Sequence, residues 1–333
     1  MAAVTESITK NRQPIAVLRA MAARAFGDER VPEGDDWVEE LGHGWFNVAY
    51  RIRLADGEPV VLKIAPPASV EVMTYERDMM RTEVAALELI RARTSVPVPA
   101  VLFHDVSREL CDADYFFMEF VHGDNLGIVK DELAPGVYTS CVEAMGAANR
   151  DLNQVKGDHF GPLLGTGGGS WREVFGGILE DVLRDGERRD VDLGWDYAVV
   201  RSVIAEYADS LDEVTEPAFV EWDLWDTNVM IRDGVLVSII DHERALYGDP
   251  IMEGGFAASE LAEFPGDSSD FIRGYGQPPF TEGERRRRRL YGLHLVLVMV
   301  IETVYRGHTD LSQYDFARAA LDGLMENTFG RRR

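Results

Sequence analysis

The apolar pattern of this chain changes period once, near Val121, and no other feature restricts its fold as strongly. Before that point alternation dominates. Phe46, Val48, Tyr50, Ile52 and Leu54 share one face of residues 45–54, Asp56-Gly57 supplies a turn, and PVVLKIA follows, which together make a hairpin. Residues 74–93, TYERDMMRTEVAALELIRAR, have helical period and good helix formers, and VPVPAVLFHDV and DYFFMEFV read as two further extended segments. Beyond Val121 the pattern turns helical, at 136–152, 170–186, 195–213 and 284–305, interrupted by one hairpin around 228–241. The expected fold is α+β in two lobes. Residues 1–120 form a small antiparallel sheet with one helix, and residues 121–333 form a larger, mainly helical lobe.

Composition removes several functions. The 333 residues carry 58 acidic against 34 basic side chains, a net charge of −24, which repels a phosphate backbone and argues against nucleic acid as a partner. The basic block Arg285 to Arg289 reads as a solvated arginine face at a helix start. Cys111 and Cys141 stand apart with no neighbouring ligand set, so neither a disulfide framework nor a zinc site is expected, and a reducing cytosol fits. The opening MAAVTESITKNRQPIAVLRAMAARAF breaks every apolar run with polar residues, which leaves an amphipathic helix and no export signal. The longest apolar run, Leu290 to Tyr305, is shorter than the roughly 20 residues of a membrane span and contains Glu302, so it reads as a buried helix. The glycine run from Gly165 to Ser170 lacks the Lys-Ser/Thr of a phosphate loop; Ser170 and Glu173 instead fit a helix-capping box.

The chemistry concentrates in VEWDLWDTNVMIRDGVLVSIIDHE, residues 220–243. Asp223 precedes Asn228 by five residues, and a hairpin with a tight Asp233-Gly234 turn then delivers Asp241. Antiparallel strands bring their far ends within a few ångströms, so Asn228 and Asp241 can share one hard cation while Asp223 sits a loop away. Phosphoryl transfer needs that arrangement: oxygen ligands for Mg²⁺ and a separate carboxylate for the proton of an attacking hydroxyl. Taken alone, D-x-x-x-x-N is better explained as a charged surface hairpin with a capped turn, because Asp and Asn are common in loops. The first lobe adds Gly42-His-Gly44 between two strand-like segments and Lys63 in a strand whose Leu62 and Ile64 face the other way. Glu83 shares a helical stripe with Leu87 and Ile90, so it requires a cationic partner, for which Lys63 is the natural candidate.

The order of glycine loop, strand lysine, helix glutamate, D-x-x-x-x-N and hairpin aspartate resembles the aminoglycoside phosphotransferase family, within the protein-kinase-like superfamily that includes choline kinases. WDLWDTNVMI, SIIDHERALYGDPIMEGGF and YGLHLVLVMVIETVYR look like a bacterial branch of it. The resemblance implies a kinase-like fold in which Asp223 is the catalytic base and Asn228 and Asp241 are metal ligands. It further implies that Lys63 contacts nucleotide phosphates, Glu83 positions Lys63, and Gly42 and Gly44 cover the phosphates. FFMEFVHG looks like the hinge, where the backbone of Glu119 and Val121 would hold adenine. The family's His-Gly-Asp stands here as Glu221-Trp222-Asp223; Glu221 either bonds the loop backbone or repels Asp223 and raises its pKa. Asp249 is either a brace for the metal-ligand segment or an ordinary turn residue.

The implied activity is transfer of the γ-phosphoryl group of ATP, with Mg²⁺, to a hydroxyl of a small cationic molecule such as an aminoglycoside-like antibiotic or an amino sugar. GTP stays open as donor because hinge hydrogen bonds come from backbone. A nucleotide-binding pseudokinase, motivated by the missing histidine, and a kinase of a neutral metabolite such as a sugar or macrolide are the competing readings. A protein kinase is disfavoured, since no A-P-E element follows Asp241. Glu253, Glu260, Glu263 and Glu302 are candidates for the acceptor site or for plain solvated surface. The expected protein is cytoplasmic, a monomer or homodimer, with a small-molecule acceptor as partner and no membrane.

Overall fold

A computed structural model describes residues 7–42, 46–257 and 268–332. Ile15–Phe26 form helix α1, and β1 (Val38–Leu41), β2 (Val48–Arg53), β3 (Pro59–Ile64), β4 (Val101–Asp105) and β5 (Tyr115–Glu119) form an antiparallel sheet of order β1-β2-β3-β5-β4. Helix α2, Met79–Arg93, completes this lobe. Period-two alternation gives the sheet two apolar faces, each of which needs a cover. Leu62 and Ile64 join Leu18, Met21 and Ala22 of α1, whereas Val61 packs with Met80, Val84 and Leu87 of α2. The sheet therefore carries a helix on each side, where the apolar pattern of the sheet region points to one.

The rest of the chain contains the short β6 (Asp124–Asn125) and α3 (Leu126–Val129), then α4 (Pro135–Leu152), β7 (Gly161–Pro162), α5 (Trp171–Arg188), α6 (Tyr197–Tyr207) and β8 (Ala218–Val220). The predicted hairpin forms as β9 (Val229–Arg232) and β10 (Val235–Ile239), turned by Asp233 and Gly234 at φ 53° and 75°, the left-handed pair that a tight hairpin turn demands. β11 (Leu246–Gly248), α7 (Gly254–Ala257), α8 (Ser269–Tyr275), α9 (Glu282–Tyr305) and α10 (Ser312–Gly323) follow. Helix α9 begins with a capping box, Thr281 Oγ1 accepting from Glu284 N and Glu284 Oε2 accepting from Thr281 N. Its apolar run lies in the core, and no described helix is long and apolar enough to cross a membrane.

This is a two-lobed, protein-kinase-like α+β fold. One buried apolar cluster runs without a break from α2 through Met118 and Leu126 into the helical lobe. At the crossover Gly123 packs so closely on β9 that a Cβ there would lie 2.5 Å from the carbonyl oxygen of Ile231. The segment after β5 is thereby held on the β9–β10 hairpin.

The arginine block departs from its expected exposure. Arg287 and Arg288 are buried; Arg287 donates to Asp249 and Glu213, and Arg288 to the Phe256 carbonyl. Arg285 is exposed and Arg286 partly so. The two inward members are tolerated because acceptors from other segments meet them, which a run of five like charges does not reveal.

Candidate active site

Two loops build the site, and both are pinned at each end. Residues 221–228 leave β8 and enter β9; residues 240–245 leave β10 and enter β11. Because β11 pairs antiparallel with β8 (Leu246 opposite Val220) and β9 pairs with β10, the loops lie side by side. Ile240 N donates to Asn228 O at 2.9 Å, and Asn228 Nδ2 donates to the Asp223 carbonyl at 2.8 Å. Trp222 and Asp241 adopt φ of 44° and 70°, costly for non-glycine residues and typical of positions whose side chains are aimed by their surroundings.

Asp223 is mostly enclosed. Its Oδ1 accepts from Trp225 Nε1 at 2.8 Å, and the Arg244 guanidinium approaches both oxygens at 3.4 Å. Burial pushes its pKa above the usual carboxylate value, and Arg244 opposes that rise.

Across the interlobe cleft, Lys63 points from β3 to the α2 side of the sheet. Its Nζ donates to Glu83 Oε1 at 2.5 Å and to Asp241 Oδ1 at 2.8 Å, so one ammonium links α2 to the hairpin loop of the other lobe. Carboxylate oxygens of Glu83, Asp241 and Glu243 lie within 4.8 Å of one another. Burial raises Glu83 and raises Glu243 strongly, whereas for Asp241 the Lys63 ammonium outweighs burial and lowers the pKa. Lys63 itself stays charged, since the surrounding carboxylates override its desolvation. Glu83 Oε2 is buried and has no partner. Three carboxylates against one lysine, an unsatisfied oxygen and an all-oxygen donor set suit a hard divalent cation.

Bracing residues surround these loops. Glu221 neither bonds the loop backbone through its side chain nor acts chiefly on Asp223: its carboxylate takes the Nδ1 side of the buried His242 ring, whose Nε2 faces the Ile239 carbonyl at 3.1 Å. Glu253 is fully buried, so it neither lines a surface nor is solvated; it accepts from Leu224 N, Gly254 N and Glu221 N and holds the loop from beneath. Asp249 caps a short turn at Ile251 N and anchors Arg287 and Tyr291 of α9 at 2.7 Å each. Glu302 is mostly buried, bonded by Gln313.

Of the remaining expected positions, Gly42 is exposed just past β1, and Gly44, Glu260 and Glu263 lie outside the described residues. Glu119 ends β5, its side chain accepting from Ala100 N, and with Phe120, Val121 and His122 it lines a cavity of about 330 Å³ beside Pro97 and Ser238. The structure thus brings Lys63, Glu83 and Asp241 into direct contact, and Asp223 with Asn228. It adds four residues that the sequence does not single out: Glu243, His242, Arg244 and Asn47, whose amide donates to Glu243 Oε2 at 2.5 Å. Only Glu243 carries a signal, as a second acid two residues from Asp241 at the end of the hairpin.

A kinase-like fold holding a lysine, paired carboxylates and an Asp-Asn loop at its interlobe cleft defines a phosphotransferase. The chain belongs to the phosphotransferase enzyme family, whose model matches residues 37–291. Among solved structures, aminoglycoside phosphotransferase APH(4)-Ia superposes with a TM-score of 0.65 at 18% identity, covering 94% of this chain and 99% of that one. A thermostable mutant of that protein, solved as a ternary complex with AMP-PNP and hygromycin B, gives 0.64 at 17% identity over the same shares. A proposed fructosamine-3-kinase from Thermobifida fusca YX-ER1 gives 0.61 at 24% identity, covering 91% of this chain and 99% of that one. No curated protein matches the chain in sequence.

Proposed function

We propose that this protein transfers the γ-phosphoryl group of ATP to a hydroxyl of a small cationic molecule, an aminoglycoside-like antibiotic or an amino sugar, in the cytoplasm. The observation that carries the reading is Lys63 held between Glu83 and Asp241 at 2.5 and 2.8 Å, a lysine tied to both lobes at one end of the cleft. Nucleotide and acceptor are expected to divide between residues 1–120 and 121–333. Adenine would lie on the backbone of Glu119 and Val121, with Gly42 and Gly44 over the phosphates and Lys63 on their oxygens. Asn228 and Asp241, joined by Glu243, would hold Mg²⁺, which supplies positive charge to the phosphate oxygens. Asp223 accepts the proton of the acceptor hydroxyl as that oxygen bonds to the γ-phosphorus; the bond to the β,γ-bridging oxygen breaks, and ADP leaves.

The net charge of −24 supports a cationic acceptor, because an acidic protein draws in cations within a Debye length of about 8 Å at physiological salt. One observation favours a second reading. Arg244 already neutralises Asp223, which suits a neutral acceptor such as a sugar or macrolide.

ADP release measured with ATP or GTP, Mg²⁺ and a panel of aminoglycosides, amino sugars, sugars and macrolides tests the proposal. Raising NaCl from about 50 to 500 mM shortens the Debye length roughly threefold; kcat/KM for a cationic acceptor then falls steeply while kcat holds. A flat profile selects the neutral acceptor. Nucleotide binding without turnover on any acceptor selects the pseudokinase. Increased aminoglycoside tolerance in a susceptible host expressing the protein would tie the activity to resistance.

A further inference from the structure

The segment ahead of α1 has no part in the scheme above, yet its polar side chains are among the most buried in the molecule: Ser7 and Asn11 are 6% exposed and Thr9 is 0%. Buried donors need acceptors, and the acceptors they find are backbone oxygens of the phosphate-binding side of the sheet. Thr9 Oγ1, in contact with Ser7 Oγ, donates to the Phe46 carbonyl at 2.8 Å. Lys10 Nζ donates to the Asn47 carbonyl at 2.5 Å, and Asn11 Nδ2 to the Ala65 carbonyl at 3.0 Å, two residues beyond Lys63. Ile8 N reaches the opposite lobe, donating to the Arg306 carbonyl at the end of α9, and Gly307 lies so close to Ile8 that a Cβ would come within 2.9 Å of it. The Arg306 guanidinium in turn covers the Phe46 ring at 4.7 Å and pairs with buried Glu76.

Asn47 turns this packing into a link with the site. Its carbonyl takes Lys10, and its amide donates to Glu243 Oε2 at 2.5 Å, an interlobe hydrogen bond beside Asp241. Lys10 also sits in the field of the same acids: burial lowers its pKa, while Glu40, Glu243 and Asp241 oppose the fall. Near a cluster with three carboxylates and one lysine, it is a second cation.

We propose that residues 7–11 are a strap belonging to the nucleotide site, in which Lys10 is a positioning residue: it fixes Asn47, and through the Asn47 amide Glu243, in the register that receives a metal-bound triphosphate. The inference rests on the reading of the site as a nucleoside triphosphate site. It differs from a purely structural role in one respect. A strap that only holds the lobes together affects both substrates, whereas Lys10 acts on the phosphate end and affects the nucleotide alone.

The test is titration of wild type, Lys10→Met, Lys10→Arg and Thr9→Val with a fluorescent ATP analogue and Mg²⁺, beside steady-state kinetics and thermal melting. Losing one charge-assisted hydrogen bond weakens nucleotide binding about tenfold in Lys10→Met. KM for nucleotide rises in parallel, KM for acceptor is unchanged, and Lys10→Arg recovers most of the loss. Thr9→Val, which releases the Phe46 anchor together with the contact to Ser7 Oγ, shifts affinity in the same direction by a smaller factor. Equal nucleotide affinity in wild type and Lys10→Met, or a loss shared equally by nucleotide and acceptor, overturns the proposal. Should Lys10→Met melt early, Lys10→Arg and Thr9→Val decide by the same criteria. Failure of the underlying reading looks different, because wild type itself then binds no nucleoside triphosphate.

Discussion

The site has two acidic centres that are balanced differently. Around Lys63, three acids (Glu83, Asp241 and Glu243) meet one lysine; the ammonium keeps Asp241 charged, while burial raises the pKa of Glu83 and, strongly, of Glu243. At the other centre Asp223 meets Arg244 one for one, with Trp225 donating to a remaining lone pair. Crowded acids in a desolvated pocket ionise fully only when a further cation joins them, so the first centre suits completion by a ligand. The second is balanced charge for charge and holds one carboxylate in a defined place, as proton transfer requires. Local balance, rather than the overall charge of the chain, separates the two roles.

Breaking the surplus should have the largest effect. Asp241→Asn removes a charge that the metal needs and gives up the pair with Lys63, whose ammonium holds the Asp241 pKa down in the unloaded protein. Turnover is therefore expected to fall below detection while the protein still folds, with a lowered melting temperature, checked by ADP release and calorimetry; retained turnover would refute the metal assignment. Asp223→Asn comes next. It should lower kcat by roughly 10²- to 10⁴-fold while Mg·nucleotide affinity persists, and a collapse of binding in a fluorescence titration would mean that Asp223 belongs to the metal centre instead.

A third substitution tests the brace shared by both centres. The His242 ring has an acceptor at each nitrogen, a carboxylate and a carbonyl, so it carries two protons; burial lowers its pKa, but Glu221 prevails and the net shift is upward. A raised folded-state pKa contributes stability that is full below the ordinary value of about 6.5 and is lost as pH rises through the raised one. Glu221→Gln should cost about 3–5 kcal/mol at low pH, as removal of one partner from a buried ion pair does. It should also flatten the decline of melting temperature with rising pH. An unchanged slope in thermal melts would show that the pair does not titrate with folding.

Elements with a strong period are legible in the sequence alone: the hairpin that aims Asp241, α9 with its apolar run, and the strand that carries Lys63 with Leu62 and Ile64 reversed. Their side chains obey local geometry, which sequence spacing encodes. Glu253 is open in the sequence between acceptor site and solvated surface, and Arg287 and Arg288 read as surface, yet all three are buried, because burial of a charge depends on partners far along the chain, Leu224 N, Asp249 and Phe256 O respectively. Glu221 is open between two roles on its neighbours alone and takes a third, since its partner His242 lies 21 residues on and reaches it only when β11 pairs with β8. Lys10 and Asn47 give no local signal for the same reason: their link to Glu243 crosses between lobes.

Arg244 should give the smallest effect on rate and the clearest signature. Its guanidinium lies against the rings of Trp222 at 4.8 Å and Tyr75 at 5.5 Å, which fixes it beside Asp223 with little freedom. Burial raises the Asp223 pKa and Arg244 is the main restraint on it, ahead of the Trp225 hydrogen bond, so in Arg244→Met the pKa rises further. A general base works only when ionised; activity is present above its pKa and lost as pH falls through it. The acid limb of kcat/KM should therefore move to higher pH in Arg244→Met, with kcat within about tenfold of wild type at pH near 9 and a larger deficit near pH 6. Arg244→Lys keeps the charge without the stacked plane and should fall between the two. An acid limb that stays in place would mean that Asp223 is not the titrating base, and that the one-for-one balance at this centre is packing rather than chemistry.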